Sequence, residues 1–305
     1  MVWQPFPVAA KSADLVVVTQ ENRILSNYPL LLRRHFGGPK VAYWGHGANL
    51  QSTAPAGLRE GWKRYWLTHV DWWFAYTGMS VARVAGEGFP RERITNLENA
   101  VDTTAMAADL ASIVPGEVDR LRRDLGWEVG RVGLYLGSLY ADKRLDFLLE
   151  AADRLHAVDP SFHLLIMGDG PLREQIRNAC AERSWSAWVG AQSGRDKALH
   201  LALADVLLNP GLVGLGILDA FVTGVPLVTT DCGIHSPEIA YLRQHENGLM
   251  TDNTLDAFVA GVRQVLNDDA YRARLVAGCH EATEHYSIEN MVRNFRDGIL
   301  GALKT

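Results

Sequence analysis

The strongest structural signal in this sequence is Asn209-Pro210-Gly211-Leu212-Val213-Gly214-Leu215-Gly216-Ile217-Leu218-Asp219-Ala220-Phe221, followed by Gly224-Val225-Pro226-Leu227-Val228-Thr229-Thr230. This pattern is typical of a buried strand end, a glycine-rich loop, an amphipathic helix and a second buried strand. Such a loop directs backbone N–H groups and a helix N-terminus at one point, which favours an anion. The pattern predicts a phosphate-bearing ligand. A tight turn that packs a helix on a strand is the alternative interpretation.

Three further blocks accompany this loop in a fixed order along the chain. They are Asn99-Ala100-Val101-Asp102, Gly137-Ser138-Leu139-Tyr140-Ala141-Asp142-Lys143-Arg144-Leu145-Asp146 and Leu165-Ile166-Met167-Gly168-Asp169-Gly170-Pro171. Together the four blocks, spread over residues 95–250, resemble the retaining glycosyltransferases of family 4. The resemblance implies an α/β, GT-B-like fold with two Rossmann-type domains.

The chain departs from the resembled family at three positions. The family carries two acids eight residues apart in the glycine-rich block, and here these positions are Gly211 and Asp219. Ser138 stands where the family has an arginine, whereas Lys143 matches the family's lysine. If the chain is a weakened enzyme, Gly211→Glu, alone or with Asp219→Glu, is expected to raise its activity.

The resemblance implies that a nucleoside diphosphate sugar binds along these blocks. Lys143 and the amides of loop 211–216 would hold the donor phosphates, and Asp219 would accept hydrogen bonds from the ribose hydroxyls. The alternatives are a solvated surface lysine and an acid that stabilises the first turn of its helix. The predicted donor-binding residues are Gly137, Ser138, Lys143, Arg144, Gly168, Gly170, Pro210, Gly211, Leu212, Val213, Gly214, Leu215, Gly216 and Asp219.

A second group of candidates follows the predicted strand at 40–44. His46 lies between two glycines, and the resemblance places a histidine after this strand near the donor sugar. His46, Lys143 and Asp219 are therefore the candidate catalytic residues, although a lone histidine is more often structural. Asn49 and Gln51 are candidates for binding acceptor or sugar hydroxyls.

The expected chemistry uses neither a metal nor a cofactor other than the donor as co-substrate. No Asp-x-Asp pair stands where a catalytic divalent cation would be expected. The departing diphosphate would instead be stabilised by Lys143 and by backbone amides, an electrostatic effect that is often the largest catalytic contribution. The resemblance implies retention of anomeric configuration through attack on the front face of the donor.

The order of apolar runs predicts how the chain is divided. Residues 1–102 predict about four parallel strands, fewer than the roughly six of a Rossmann domain, so the N-terminal, acceptor-side domain is expected to be incomplete. Residues 103–285 predict a complete C-terminal domain that binds the nucleotide sugar. Residues 286–305 predict a helix that packs back toward the N-terminal domain. An incomplete sheet predicts self-association or a partner that completes it.

Composition excludes several classes of protein. With 305 residues, 48% of them hydrophobic and 21% charged, the chain is globular rather than disordered. The sequence has no apolar run of 18 or more residues, residues 1–7 lack the basic start and apolar core of a signal peptide, and Cys180, Cys232 and Cys279 predict reduced thiols. A cytoplasmic location is therefore expected. Residues 1–100 hold 11 basic and 7 acidic side chains and the rest hold 19 and 28, so the first third is expected to face an anionic surface or acceptor. The net charge of -5 and the lack of a persistent basic stripe argue against nucleic acid as a partner.

An aromatic and basic run, Trp62-Lys63-Arg64-Tyr65-Trp66, continues to Trp72, Trp73 and Phe74. Trp with Lys and Arg on one helix predicts peripheral contact with the inner face of a membrane, and burial in the core is the equally supported alternative.

Two functional hypotheses follow. The first is a retaining, metal-independent hexosyltransferase that acts on a glycan or lipid-linked acceptor, as in polysaccharide biosynthesis. The second is a weakened or inactive nucleotide-sugar-binding homologue or fragment that needs a partner, which Gly211 and Ser138 favour.

Overall fold

The computed structural model describes residues 2–6, 10, 12–21, 23–47, 61, 65–127 and 129–305. The chain forms two compact units. Unit 1 comprises Met1–Ala100 together with Ile288–Thr305, and unit 2 comprises Val101–Ser287. Among the described residues, no helix is both long and apolar enough to cross a membrane.

Unit 1 contains a parallel sheet with the strand order β1-β2-β3-β4. Its strands are rich in apolar and β-branched residues because helices cover both faces of such a sheet. Trp73 and Phe74 of β3 are fully buried. The strands are β1 Leu15–Thr19, β2 Lys40–Gly45, β3 Trp72–Ala75 and β4 Ile94–Asn96, and the α-helices of this unit include Asn27–Arg33, Gly78–Gly86 and Ile288–Lys304.

The first helix of unit 1 begins later than the sequence pattern predicts. A helix is expected over 22–34, but the helix begins at Asn27. Backbone bonds explain the difference: the Val2 N–H donates to Arg23 O at 2.8 Å, and the Leu25 N–H donates to Val2 O at 2.9 Å. Residues 23–25 are therefore held against the N-terminal segment instead of in a helical turn.

The last helix packs closely on the sheet of unit 1. Phe295 stacks on Phe74 with ring centroids 4.4 Å apart, and Lys40 Nζ donates to Ala302 O at 3.0 Å. A Cβ atom at Gly298 would lie 2.4 Å from Thr95 Oγ1 and 2.5 Å from Phe74 Cε1. Glycine is needed at 298 because the helix backbone approaches the side chains of the sheet.

Gly298→Ala is expected to destabilise unit 1 by about 1–3 kcal/mol, because overpacking outweighs the better helix propensity of alanine. Gly86→Ala is the matched control, since a Cβ at Gly86 meets no atom within 4 Å. Hydrogen exchange of β1–β4 at increasing urea concentration would measure both variants. Equal protection from hydrogen exchange in the two variants would contradict the close approach of the last helix to the sheet at Gly298.

Unit 2 contains a six-stranded parallel sheet with the order β10-β9-β8-β5-β6-β7. Two halves diverge from the pair β5 and β8, which is the doubly wound order of a Rossmann domain. The predicted α/β class with parallel sheets is thereby confirmed. The strands are β5 Val132–Leu136, β6 His163–Met167, β7 Ser186–Trp188, β8 Val206–Asn209, β9 Leu227–Thr230 and β10 Gly248–Thr251.

Helices cover both faces of this sheet, and the core between helices and strands includes Leu148, Ile176, Val206 and Phe258. The α-helices are Thr104–Ala111, Pro115–Asp124, Leu145–Val158, Arg173–Ala181, Gly194–Ala202, Gly216–Thr223, Leu255–Asn267 and Asp269–His285. Six of these helices bury apolar residues, whereas Thr104–Ala111 and Pro115–Asp124 have no buried residue. Burial of an apolar face is the main source of stability for helices of this length.

Candidate functional site

The candidate site of unit 2 lies where the strand order reverses. β5 and β8 are neighbours, and the loops that follow them meet at the carboxyl edge of the sheet. The Leu212 N–H donates to Asp142 O at 2.9 Å, and Lys143 Nζ donates to Leu212 O at 2.5 Å. In doubly wound folds this crevice is where ligands bind.

The loops after β5 and β6 are joined through their backbones. The Leu139 N–H donates to Asp169 O at 3.0 Å. A Cβ at Gly168, where φ is +151°, would lie 1.8 Å from Gly137 O, and a Cβ at Gly170 would lie 2.5 Å from Leu139 O. Packing of two loops therefore explains both glycines. Their predicted contact with the donor stays a prediction.

Lys143 provides a buried positive charge in the site. It is only 9% exposed, and its Nζ lies 5.6 Å from the centre of the Tyr140 ring. Burial lowers the pKa of Lys143, an effect that the nearby Asp142 carboxylate partly opposes. An anion bound beside this ammonium would replace the water it has lost.

The sequence pattern places Lys143 at the start of an α-helix, and this placement is wrong. Lys143 ends the short 3₁₀ helix Ala141–Lys143, and the α-helix begins at Leu145. The intervening residue, Arg144, has φ +55° and ψ +48°, a left-handed conformation that few non-glycine residues adopt. The chain therefore turns sharply between Lys143 and the helix.

Arg144 is bound by groups from three other loops. Its Nη1 lies 3.0 Å from Pro210 O, 3.0 Å from Thr230 Oγ1 and 2.5 Å from Asn253 Oδ1. Its guanidinium carbon lies 4.3 Å above the Phe147 ring. These contacts fix the loops after β8, β9 and β10 to the loop after β5. Arg144 thus holds the walls of the site, and direct contact with a donor stays a prediction.

Three of the six backbone N–H groups of loop 211–216, which were predicted to hold the donor phosphates, already donate hydrogen bonds to other groups of the protein. The Gly211 N–H donates to Asn209 Oδ1 at 3.3 Å, Leu212 N–H donates to Asp142 O as given above, and the Val213 N–H donates to His235 Nδ1 at 3.1 Å. The N–H groups of Gly214, Leu215 and Gly216 donate no hydrogen bond to the described part of the chain. These three amides precede and open the helix Gly216–Thr223, so they are the donors available to an anion.

Gly211 has no room for a side chain. A Cβ there would lie 2.3 Å from Asp142 O and 2.7 Å from Lys143 Cα, which are both backbone atoms. The expectation that glutamate at this position raises activity stays a prediction, and the loop as it stands has no space for that side chain. An acid at 211 would first have to displace the loop that carries Lys143.

Asp219 is paired with a residue that the sequence analysis missed. Lys197 Nζ lies 2.7 Å from Asp219 Oδ1, and the side chains are 22% and 20% exposed. Lys197 belongs to the helix Gly194–Ala202, on a different strand-to-strand connection. No local pattern joins residues so far apart in sequence. The role of Asp219 at the ribose stays a prediction, and Lys197 supplies a second polar group beside it.

Ser138 and Pro210 complete the predicted set at this edge. The Ser138 side chain is exposed, and its carbonyl accepts a hydrogen bond from Tyr135 Oη at 2.9 Å. Pro210 O accepts from Thr230 Oγ1 at 2.7 Å. Both residues thus border the crevice through backbone oxygen atoms that already have protein donors.

The remaining candidates belong to unit 1. His46 directly follows β2, is half-buried and lies 5.0 Å from the Tyr76 ring, centre to centre. Gly47 has φ +74°, and a Cβ there would lie 2.4 Å from Val84 Cγ2. The turn after β2 therefore requires glycine. Asn49 and Gln51 lie outside the described residues.

The aromatic run of unit 1 is only partly described. Trp62, Lys63 and Arg64 lie outside the described residues. Trp66, Trp72 and Trp73 are buried, as the core interpretation expects, whereas Tyr65 is 48% exposed.

Comparisons with known proteins find a family model that matches part of the chain and relatives of low identity. Residues 130–268 match the family model of glycosyl transferases group 1. A GDP-mannose-dependent alpha-(1-6)-phosphatidylinositol monomannoside mannosyltransferase of Mycolicibacterium smegmatis is 29% identical over 220 residues, which are 67% of this chain and 56% of the relative. O-antigen chain mannosyltransferase B of Escherichia coli is 26% identical over 66% of this chain and 53% of the relative. The chain spans about half the length of these relatives.

Solved structures share the fold at low identity. Anabaena Alr3699/HepE, in complex with UDP, matches with a TM-score of 0.74 and 15% identity over 95% of this chain and 79% of that chain. A glycosyltransferase from Rickettsia africae ESF-5 matches with a TM-score of 0.75 and 13% identity over 96% and 78%. These likenesses confirm the predicted GT-B-like fold class.

Proposed function

We propose that this chain, whose residues 130–268 match glycosyl transferases group 1, is a retaining hexosyltransferase that uses a nucleoside diphosphate sugar and no metal. The observation that carries the proposal is that a buried cation and three open amides occur on neighbouring loops at the carboxyl edge of the sheet of unit 2. The buried Lys143 ammonium and the open amides of residues 214–216 lie on two loops that are bonded to each other. A diphosphate is the ligand that suits a cation beside a helix N-terminus.

The proposed transfer exchanges one bond to the anomeric carbon for another. The bond from this carbon to the donor phosphate breaks, and a bond to the acceptor oxygen forms on the same face of the sugar. The acceptor proton passes to the departing phosphate oxygen. Lys143 and the three amides stabilise the negative charge that develops on the diphosphate, while Asp219 and Lys197 face the ribose.

A glycan or lipid-linked molecule is the proposed acceptor. The Mycolicibacterium relative is named for a phosphatidylinositol monomannoside, and the Escherichia coli relative is named for the O-antigen chain. We include peripheral membrane contact in this proposal, and cosedimentation of the chain with anionic vesicles tests it. A chain that stays in the supernatant at low salt would refute the membrane contact alone.

Calorimetry with UDP and with GDP tests the binding step, because a solved neighbour holds UDP and a relative is named for GDP-mannose. One of the two nucleotides is expected to bind equally well with and without EDTA. Nucleotide release from the corresponding sugar donor should then depend on added acceptor. Binding of neither nucleotide would refute the proposal, and loss of binding in EDTA would refute metal independence.

A nucleotide-sugar-binding protein without turnover is the second candidate function. The observation that favours it is Gly211, which has no side chain and no space for one. Ser138 also lacks the charge of the arginine found there in the resembled family. Nucleotide binding with no release from any sugar donor would favour this second candidate.

A further inference from the structure

A histidine outside the predicted site is bonded to the glycine-rich loop. His235 lies in the loop after β9, and its Nδ1 accepts the hydrogen bond from the Val213 N–H at 3.1 Å. Its Nε2 lies 2.7 Å from Thr230 O. The Ser236 N–H donates to Val213 O at 2.9 Å. Both backbone groups of Val213 are therefore held by this loop, directly before the three open amides.

The two contacts of the imidazole fix its protonation state. Thr230 O can only accept, so Nε2 carries the hydrogen; the Val213 N–H can only donate, so Nδ1 carries none. The neutral ring satisfies both contacts at once. A second proton would set an N–H on Nδ1 against the N–H of Val213, and the contact would break.

We propose that His235 is a positioning residue: when neutral it holds the glycine-rich loop in its anion-binding shape, and when protonated it releases the loop. This inference rests on the proposed function, because it concerns the same three amides. The consequence is that nucleotide affinity depends on pH through a residue that need not touch the ligand.

The surroundings of His235 favour the neutral ring. Burial lowers its pKa, and the Lys143 ammonium acts in the same direction, whereas the Thr230 carbonyl and the Asp231 carboxylate oppose them. The Cys232 thiol lies 3.5 Å from Nε2. Because the folded-state pKa is lowered, the contact with Val213 is at full strength above the ordinary imidazole pKa of about 6.5 and weakens as the pH falls below it.

The test compares the wild-type chain with two substitutions. His235→Asn places a non-titrating oxygen acceptor near the position of Nδ1, whereas His235→Ala removes the acceptor. Calorimetry with UDP and GDP between pH 5 and pH 8, a range of about 1.5 units on each side of the ordinary pKa, should show wild-type affinity falling by up to about tenfold per unit in acid. His235→Asn should show only the change due to the ligand's own titration, and His235→Ala should bind about fivefold more weakly throughout.

A readout without ligand separates this inference from the proposed function. Hydrogen exchange at Val213 should lose protection in acid in the wild type but not in His235→Asn, after correction for the intrinsic pH dependence. His280→Asn, at an exposed position of the same unit, is the control and should follow the wild type. Identical pH profiles for wild type and His235→Asn would overturn the inference. Failure to bind either nucleotide would overturn the proposed function, and Val213 exchange would still decide the role of His235 in holding the loop.

Discussion

Gly211→Ala is expected to destabilise unit 2 by about 3 kcal/mol, near the upper end of the usual cost of overpacking. The added Cβ would lie 2.3 Å from Asp142 O and 2.5 Å from Lys143 C. These atoms belong to the backbone of the loop after β5, so no rotation of a side chain can relieve the contact. Urea denaturation with hydrogen exchange of β5–β10 would measure the loss.

Gly216→Ala is the matched control for this prediction, because it lies in the same glycine-rich segment and its Cβ would meet no atom within 4 Å. Position 216 is the first residue of a helix, so alanine there should be neutral or should stabilise by about 0.4–1 kcal/mol. Equal free energies of unfolding for the two variants would show that the loop after β5 can move away from position 211 at little energetic cost. In that case an acid at 211 would again become compatible with the site.

Lys143→Met is expected to weaken nucleoside diphosphate binding by about 10- to 150-fold, which corresponds to the roughly 1.5–3 kcal/mol of a hydrogen bond to a charged group. Methionine keeps most of the unbranched apolar stem of the side chain and removes the ammonium group, with its charge and its hydrogen bonds. Folding should be little affected, because Leu212 O retains the Asn209 Nδ2 donor at 3.1 Å. Calorimetry with UDP and GDP, together with a denaturation curve, would separate affinity from stability.

Lys304→Met provides the control, because Lys304 is an exposed lysine of the last helix and its replacement should leave affinity unchanged.

The pH dependence of nucleotide affinity gives a second check on Lys143. Because burial lowers the pKa of Lys143, its positive charge and the affinity that depends on it should be lost as the pH rises, and earlier than for an ordinary lysine with a pKa of about 10.4. Unaltered affinity in Lys143→Met would remove this residue from the proposed site.

The sequence predicts the sheet of unit 2 well, for a physical reason. A parallel strand that is covered on both faces must be a short apolar run, and the turn after it often needs glycine. Leu165-Ile166-Met167-Gly168 shows both features, and β6 ends at Met167 as this pattern requires. The start of the first helix was predicted less well, because the Val2 segment competes for the backbone groups of residues 23–25.

The site is less predictable, because its main contacts join residues that are far apart along the chain. Lys197 and Asp219 form an ion pair although they lie on two different helices. His235 accepts a hydrogen bond from Val213 although a helix and a strand separate them along the chain. Neither pair follows the periodicity of a helix or a strand. In the sequence, Gly211 is one of several glycines in a glycine-rich loop. In the structure, the backbone of the loop after β5 leaves no space for a side chain at this position.

The membership of the last helix in unit 1 has a consequence for the synthesis of this chain. Multidomain proteins generally fold from the N-terminus as they are made. Here all of unit 2, Val101–Ser287, is translated before Ile288–Thr305 exists to cover the sheet of unit 1. The ribosome therefore completes the second unit first, and the first unit stays without this helix until residues 288–305 have been made.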